Sequence, residues 1–255
     1  MIHVFERVRT LWRREPRHPF DVAYGMDTSG LIYADRLPSG HENDRYSEGY
    51  YGTAPSLFIG AISLWMSGLA PAAQGTRGQW DEGTGELLED YTFVDLGCGK
   101  GRVVMMASLY PFRAVRGVDL SEAMIGVARR NLRRWRRTQT RNGRAICGDV
   151  GVVEGDVLGP EMDGILGMGG SIILFIFNSF GAKVLAGLME KLARAARGGK
   201  TVDLVYIHPD HDALVAAAPG AKLLCREEIP FSEQDARADL FGVASDVCSI
   251  YRIGG

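Results

Sequence analysis

Of 255 residues, 46% are hydrophobic and 24% are charged, the balance of a globular chain with a full apolar core. A net charge of −2 excludes a global electrostatic pull toward nucleic acid, so any polyanionic partner has to use a local patch. The four cysteines, Cys98, Cys147, Cys225 and Cys248, lie far apart without a C-x-x-C pair, which argues for reduced thiols rather than a disulfide framework or zinc. No apolar run reaches membrane-spanning length, and Glu6, Arg7 and Arg9 break any signal-peptide core, so a cytoplasmic location is expected.

Residues 1–19 place Ile2, Phe5, Val8 and Trp12 at roughly helical spacing among Arg7, Arg9, Arg13 and Arg14. The pattern predicts a terminal helix docked by its apolar side, with an anionic membrane surface as the alternative support. Residues 20–56 lose this periodicity and are rich in Tyr, Asp, Gly, Ser and Thr. Tyr24, Tyr33, Tyr46, Tyr50 and Tyr51 argue against disorder, and the stretch reads as a cap over a ligand pocket. Ser56 to Leu69 is apolar and helix-compatible, whereas Pro71 through Gly85 has linker composition. The expected division is a cap segment over 1–70, a linker over 71–86 and a catalytic domain over 87–255.

The strongest signal is Phe93-Val94-Asp95-Leu96-Gly97-Cys98-Gly99-Lys100-Gly101-Arg102-Val103-Val104. A buried strand, a glycine turn and a helix start follow one another, the geometry in which backbone N–H groups face a ligand. A dinucleotide fingerprint would place a third glycine at position 102, where Arg102 stands. Ala114 to Asp119 reads as a second strand, and Asp119, 18 residues past Gly101, suits the two hydroxyls of a ribose. Ser121 then caps a helix. Eight arginines fall between Arg129 and Arg144 without one acid. They are either a solvated face or a site for phosphate or carboxylate groups, where Trp135 could stack.

Ile146 to Val150 and Val153 to Val157 are alternative third strands, ending in Asp149 or Asp156. The break after Val157 favours Asp156. Ser171 to Phe177 is the most apolar run and has to be a strand buried on both faces. Beyond it, Asn178-Ser179-Phe180-Gly181 falls in the crevice where open α/β sheets bind ligands. A helix from Ala182 to Arg197 ends at Gly198-Gly199, and Thr201 to Ile207 is the next strand. His208 and His211 could serve as a base or bind metal, but a polar loop fits better because no third ligand lies nearby. Lys222–Cys225 and Asp246–Arg252 complete the strands. Alternating strands and helices predict a doubly wound α/β sheet.

The segment Asp95-Leu96-Gly97-Cys98-Gly99-Lys100-Gly101 resembles motif I of the class I S-adenosylmethionine (SAM)-dependent methyltransferases, and the likeness covers about residues 91–255. It implies a mostly parallel seven-stranded Rossmann-like sheet with SAM as cofactor. It also implies that Asp95, Gly97, Gly99 and Gly101 hold the methionine part, Asp119 and Leu120 the ribose, and Asp156 and Val157 the adenine. A narrower likeness combines Tyr50-x-x-Thr53 with Gly155-Asp156-Val157-Leu158 and the Asn178–Gly181 turn. This combination is similar to the histone-lysine methyltransferases of the disruptor-of-telomeric-silencing type and their bacterial relatives. That group implies a Tyr/Thr loop closing over SAM, with Thr53 at the cofactor, and an Asn-Phe-Gly turn lining a lysine channel. The chain departs from it at Gly52, where the histone enzymes carry Glu, and at Ser179, where bacterial relatives often carry Pro.

The expected chemistry is in-line displacement onto a nitrogen or oxygen nucleophile of an unidentified acceptor, a protein lysine among the candidates. Asn178 and Tyr50 are the expected catalytic residues, with Phe180, Tyr24 and His208 on the acceptor side. A SAM-binding module without catalysis is the second reading, and nucleic-acid methylation through the Arg129–Arg144 block the third.

Overall fold

The computed structural model describes residues 17–36, 41–43, 49–69 and 82–254. Of the terminal helix expected over residues 1–19 all but the last three residues lie outside the described residues, as do Tyr46 and most of the expected linker. Two short strands, β1 (Leu31–Ile32) and β2 (Tyr50–Tyr51), form an antiparallel ladder. Helix α1 (Pro19–Tyr24) precedes them, and α2 (Pro55–Leu69) and α3 (Glu82–Leu88) follow.

The main sheet begins with β3 (Tyr91–Leu96), buried at every position. It continues through α4 (Arg102–Ala107), β4 (Ala114–Asp119), α5 (Glu122–Arg141), β5 (Val150–Glu154) and α6 (Pro160–Leu166). Then come β6 (Ser171–Phe177), α7 (Ala182–Ala196), β7 (Val202–Ile207) and α8 (Asp212–Ala216). The chain closes with β8 (Ala221–Pro230), α9 (Glu233–Ala238) and β9 (Ser245–Ile253). The seven strands run β5-β4-β3-β6-β7-β9-β8. Pairings among β3 to β7 are parallel, and β9 lies antiparallel to both β7 and β8. This is the doubly wound, Rossmann-like sheet of the methyltransferase fold, and the order reverses between β3 and β6.

The pleat divides the core. In β6, Ile173 and Phe175 face one helical layer, and Ile172, Leu174 and Ile176 face the other. The first layer holds α2, α4 and the inner side of α5; the second holds α6 and α7. Helix α2, which the sequence division assigns to the cap segment, packs on this same core. Its Phe58 ring lies 5.9 Å from Phe93 and 5.7 Å from Phe175. Trp65 Nε1 donates to Asp203 Oδ2 at 2.9 Å, while Arg252 clasps the same buried carboxylate from β9 with Nε and Nη2. A carboxylate inside a sheet is tolerable only with such a charged, bidentate partner. Helix α2 and the first face of the sheet therefore share one core.

Two local expectations change. The final residues of the expected linker form α3, because fully buried Leu88 anchors a helix there despite its glycines. The third parallel strand spans Val150 to Glu154, between the two alternatives, since its register runs from Val115↔Val150 to Asp119↔Glu154. Among the described residues, all four cysteines are free thiols, and no helix is long and apolar enough to cross a membrane.

Because Phe58 touches both central strands, Phe58→Ala should destabilise the whole domain by about 3–5 kcal/mol in denaturant unfolding. A separable cap segment would instead leave the main transition unmoved.

Candidate SAM site and its cap

At the carboxyl ends of β3 to β6 a crevice opens at the reversal point. Its walls are Gly97 after β3, Asp119 at the end of β4 with Leu120 and Ser121 beyond it, Gly155, Asp156 and Val157 after β5, and Ser179 and Phe180 after β6. Met124 and Val184 reach in from the flanking helices, and Asn43, Gly49 and Tyr50 come from the cap. Asp149 instead precedes β5, at the opposite end of the sheet, where it pairs with Arg116 at 2.6 Å. Asp156 is therefore the carboxylate the fold brings to the crevice.

The glycine turn has a different use from the one its sequence suggests. Gly97 N and Cys98 N donate to Val118 O, Gly99 N donates to Asp119 Oδ2, and Gly101 N donates to Cys98 O. These N–H groups are spent within the protein instead of facing a ligand. What the glycines provide is close approach. A Cβ on Gly97 would stand 2.6 Å from Ser179 Oγ, and one on Gly99 2.3 Å from the Tyr50 ring. Both positions also have positive φ, 76° and 49°.

Asp119 accepts from Gly99 N at 2.8 Å and Ser121 N at 2.9 Å, which fixes the carboxylate while leaving lone pairs toward the crevice. Asp156 accepts from Leu158 N at 2.9 Å and Asn43 Nδ2 at 2.7 Å, with His41 Nε2 at 3.6 Å. Asp95 lies beneath the turn, 5% exposed. Burial pushes its carboxyl well above the usual range, and the neighbouring Asp119 charge adds to the rise. Burial also raises Asp119, against the two backbone donors that lower it. Neither carboxyl has an ion-pair partner among the described residues. Such a pair of uncompensated acids suits a cationic ligand, and the sulfonium and ammonium of SAM carry that charge.

The turn's own cations point the other way, into the cap. Arg102, 3% exposed, donates from Nε to Thr28 Oγ1 at 2.7 Å and from Nη2 to Thr28 O at 2.9 Å. Its Nη1 donates to both Gly52 O and Thr53 O at 3.0 Å. The Thr28 hydroxyl passes the interaction on by donating to Asp21, whose carboxylate also accepts from Thr28 N, Ser29 N and Ser29 Oγ. Burial would raise the Asp21 carboxyl, but these hydrogen bonds and the Arg102 charge hold it below the usual value. Lys100 Nζ donates to Ser29 O at 2.8 Å and Asp27 Oδ1 at 3.1 Å, and it lies 5.3 Å from the Tyr50 ring centroid. Asn131 on α5 completes the fastening with bonds to Asp27 N, Asp27 O and Lys100 O.

Several expected residues thus take other positions. Tyr50 lines the crevice, but its hydroxyl donates to Thr28 O at 2.7 Å, and burial strongly raises its phenol, so it is a wall and not a proton carrier. Thr53, Asp95, Gly99 and Gly101 stand behind the wall. Tyr24 is not on the wall either; its ring packs 4.9 Å from Trp135 and 5.0 Å from Phe20, anchoring the cap. Trp135, 1% exposed with Nε1 on Ser108 Oγ, is no surface stacking platform. Gly52 has no room for a side chain, since a Cβ would meet Thr28 O at 2.5 Å.

Asn178 and His208 flank the crevice without lining it, and both are held at positive φ, 38° and 51°. Asn178 Nδ2 donates to Asp210 Oδ2 at 2.9 Å. His208 Nδ1 lies 3.0 Å from Asp246 Oδ1, and Nε2 lies 3.7 Å from Asp210 Oδ1. The hydrogen bond to Asp246 raises the His208 imidazole above its ordinary value, against partial burial. Asn43 and the Arg102 network had no motif to announce them; the only signal was Arg102 itself in a glycine position.

Residues 93–168 match the family model described as a methyltransferase domain. No curated protein matches the chain. Among solved structures it is similar to a magnesium protoporphyrin IX methyltransferase from Synechocystis solved with bound SAM. The identity there is 12%, covering 77% of this chain and 79% of that one, with a TM-score of 0.41. An RNA methyltransferase from Salinibacter ruber in complex with S-adenosylhomocysteine is 16% identical over 75% and 88% of the two chains, TM-score 0.40. A ribosomal protein L11 methylase from Lactobacillus delbrueckii subsp. bulgaricus is 16% identical over 64% and 70%, TM-score 0.38. These are likenesses of fold.

Asp95→Asn should raise the melting temperature of the ligand-free protein at neutral pH, because it removes a buried carboxyl whose ionisation folding disfavours. The sign follows from the raised pKa: the wild-type penalty is absent below the unfolded value and grows as pH rises toward and through the folded one. The same variant should weaken SAM binding in calorimetry. Stability and affinity moving together would remove Asp95 from the charge match.

Proposed function

We propose that this SAM-dependent methyltransferase moves the methyl group to an amine presented at the turn after β6, with a protein lysine side chain as the acceptor that fits best. The observation that carries this reading is the contact between Gly97 and Ser179, which brings the donor-side turn and the acceptor-side turn face to face. SAM supplies an electrophilic methyl carbon on a positively charged sulfur. The acceptor nitrogen forms the new N–C bond, the methyl–sulfur bond breaks, and its electron pair stays on sulfur as neutral S-adenosylhomocysteine leaves.

Holding the acceptor in line is the main task of the protein. Phe180 and Tyr50 form walls for it, and Asn178, fixed by Asp210, orients its N–H. A lysine arrives as an ammonium and has to lose one proton before attack. Asp210 and the His208–Asp246 pair are the groups beside the turn that attract the ammonium and take that proton. The upstream likeness, with Tyr50 and Thr53 in the cap and Asn178 to Gly181 in the turn, supports the same acceptor class. Asp119 and Leu120 hold the ribose in this reading, Asp156 and Val157 the adenine, and Asn43 closes over the adenine carboxylate from the cap.

Asp119→Ala should weaken SAM binding by about 10- to 100-fold, the loss of hydrogen bonds to a charged acceptor. Asn178→Ala should leave that affinity unchanged and lower turnover. Incubation with methyl-labelled SAM in a cell extract traces the product. Label on protein, lost on mild protease digestion and retained as methyl-lysine on hydrolysis, is the expected result. Label on nucleic acid or a small molecule would overturn the lysine assignment, and SAM binding without turnover would overturn catalysis.

A further inference from the structure

Helix α5 carries a charged face that the methyl-transfer reading does not use. Between Arg129 and Arg144 all eight arginines are exposed, and the block contains no acid. With a chain total of −2, eight positive charges here leave −10 on the remainder, so the charge is segregated. Arg134 donates to Gly25 O and Arg136 to Val150 O, which assigns those two to holding the fold. The ion pairs among the described residues involve none of Arg129, Arg133, Arg137 and Arg141. Those four recur at every fourth position, so they form a ridge with a rise of about 6 Å between neighbours.

We propose that this ridge is a docking surface for the phosphodiester backbone of a nucleic acid. The charge is complementary to a row of phosphates, and guanidinium groups are the side chains best matched to phosphate oxygens. Two other polyanionic surfaces fit the face less well. A bilayer would need an apolar side to enter, but Ile125, Ala128, Leu132 and Trp135 are already buried in the protein. A stable protein interface needs an apolar centre, and from Arg129 to Arg144 the exposed residues are arginine with Thr140, Asn142 and Gly143, with Thr138 half-buried. Trp135 is buried, so stacking on bases adds nothing here. Recognition is therefore of backbone and not of sequence. The ridge begins two turns, about 12 Å, beyond the Ser121 cap and runs on toward Arg141, so a bound strand lies along α5, outside the crevice.

The test is fluorescence anisotropy of labelled 20-nucleotide single-stranded RNA and 20-base-pair duplex DNA of scrambled sequence, titrated with the full chain from 50 to 200 mM salt. The expected result is sequence-independent binding that weakens steeply with salt, and the RNA-to-DNA ratio identifies which backbone is preferred. Replacing Arg129, Arg133, Arg137 and Arg141 together by Gln should flatten the log–log salt slope by about 3 for single strands, roughly 0.7 per charge removed. Gln keeps helix propensity, and the matching Lys replacement should retain the slope. An unchanged slope in the Gln variant overturns the proposal, as does absence of wild-type binding at 50 mM salt. Equal competition by polyglutamate, or tighter binding to anionic phosphatidylserine vesicles, overturns it in favour of those surfaces. Should the fourfold variant fail to fold, Arg133→Gln with Arg137→Gln should still flatten the slope by about 1.4 on the same scale.

Discussion

The architecture of the crevice depends on burying one guanidinium. A charge taken out of water costs several kcal/mol unless its donors are satisfied, and Arg102 meets that cost with four hydrogen bonds to Thr28, Gly52 and Thr53. Those acceptors lie 49 to 74 residues upstream, so forming them folds the cap against the glycine turn. The Thr28 hydroxyl, which accepts from Arg102 and donates to Asp21, lets opposite charges meet through a neutral group. Tyr50 shares the same Thr28 carbonyl, and the wall it forms over Gly99 is fixed by the same cluster. Cap and turn are one packed unit.

This clamp also sorts charge. Arg102 and Lys100 belong to the turn, yet both direct their cations away from the crevice into the cap. Asp119 at the end of β4, on the crevice wall, and Asp95 in β3, buried behind it, are left without ion-pair partners among the described residues. A ligand bearing positive charge supplies what the fold withholds, and the unfavourable burial of these carboxyls in the empty state becomes favourable when it binds. Segregation of like charges by a few ångströms of backbone thus sets the sign of the pocket.

The sheet was legible because hydrophobic periodicity and strand ends are local signals. Ser171 to Phe177 declared a doubly buried strand, and its side chains do divide between two helical layers. Asp95, Asp119 and Asp156 marked successive strand ends for the same reason. The cap was legible only as non-repeating aromatic sequence, since its structure rests on contacts such as Arg102 to Thr28 that no window of residues contains. Helix α2 looked like cap material because its neighbours in sequence were irregular, although Phe58 and Trp65 tie it to the central strands. The glycines were read as exposing N–H groups. In the fold those groups are consumed, and absence of a Cβ is what counts.

Asn178 and His208 show where the structure stores strain. They are the only non-glycine residues with positive φ among those described, and they sit at the ends of adjacent strands β6 and β7. Asn tolerates this conformation better than most residues, whereas His at φ 51° has to be held there. Backbone bonds from Asn178 N to Ile207 O and from His208 N to Val247 O do the holding. The result is that two polar side chains from different strands turn toward the same residue, Asp210, beside the turn that faces Gly97. An ordinary loop would relax such a geometry. Here the two backbone bonds and the shared Asp210 hold it at two neighbouring strand ends.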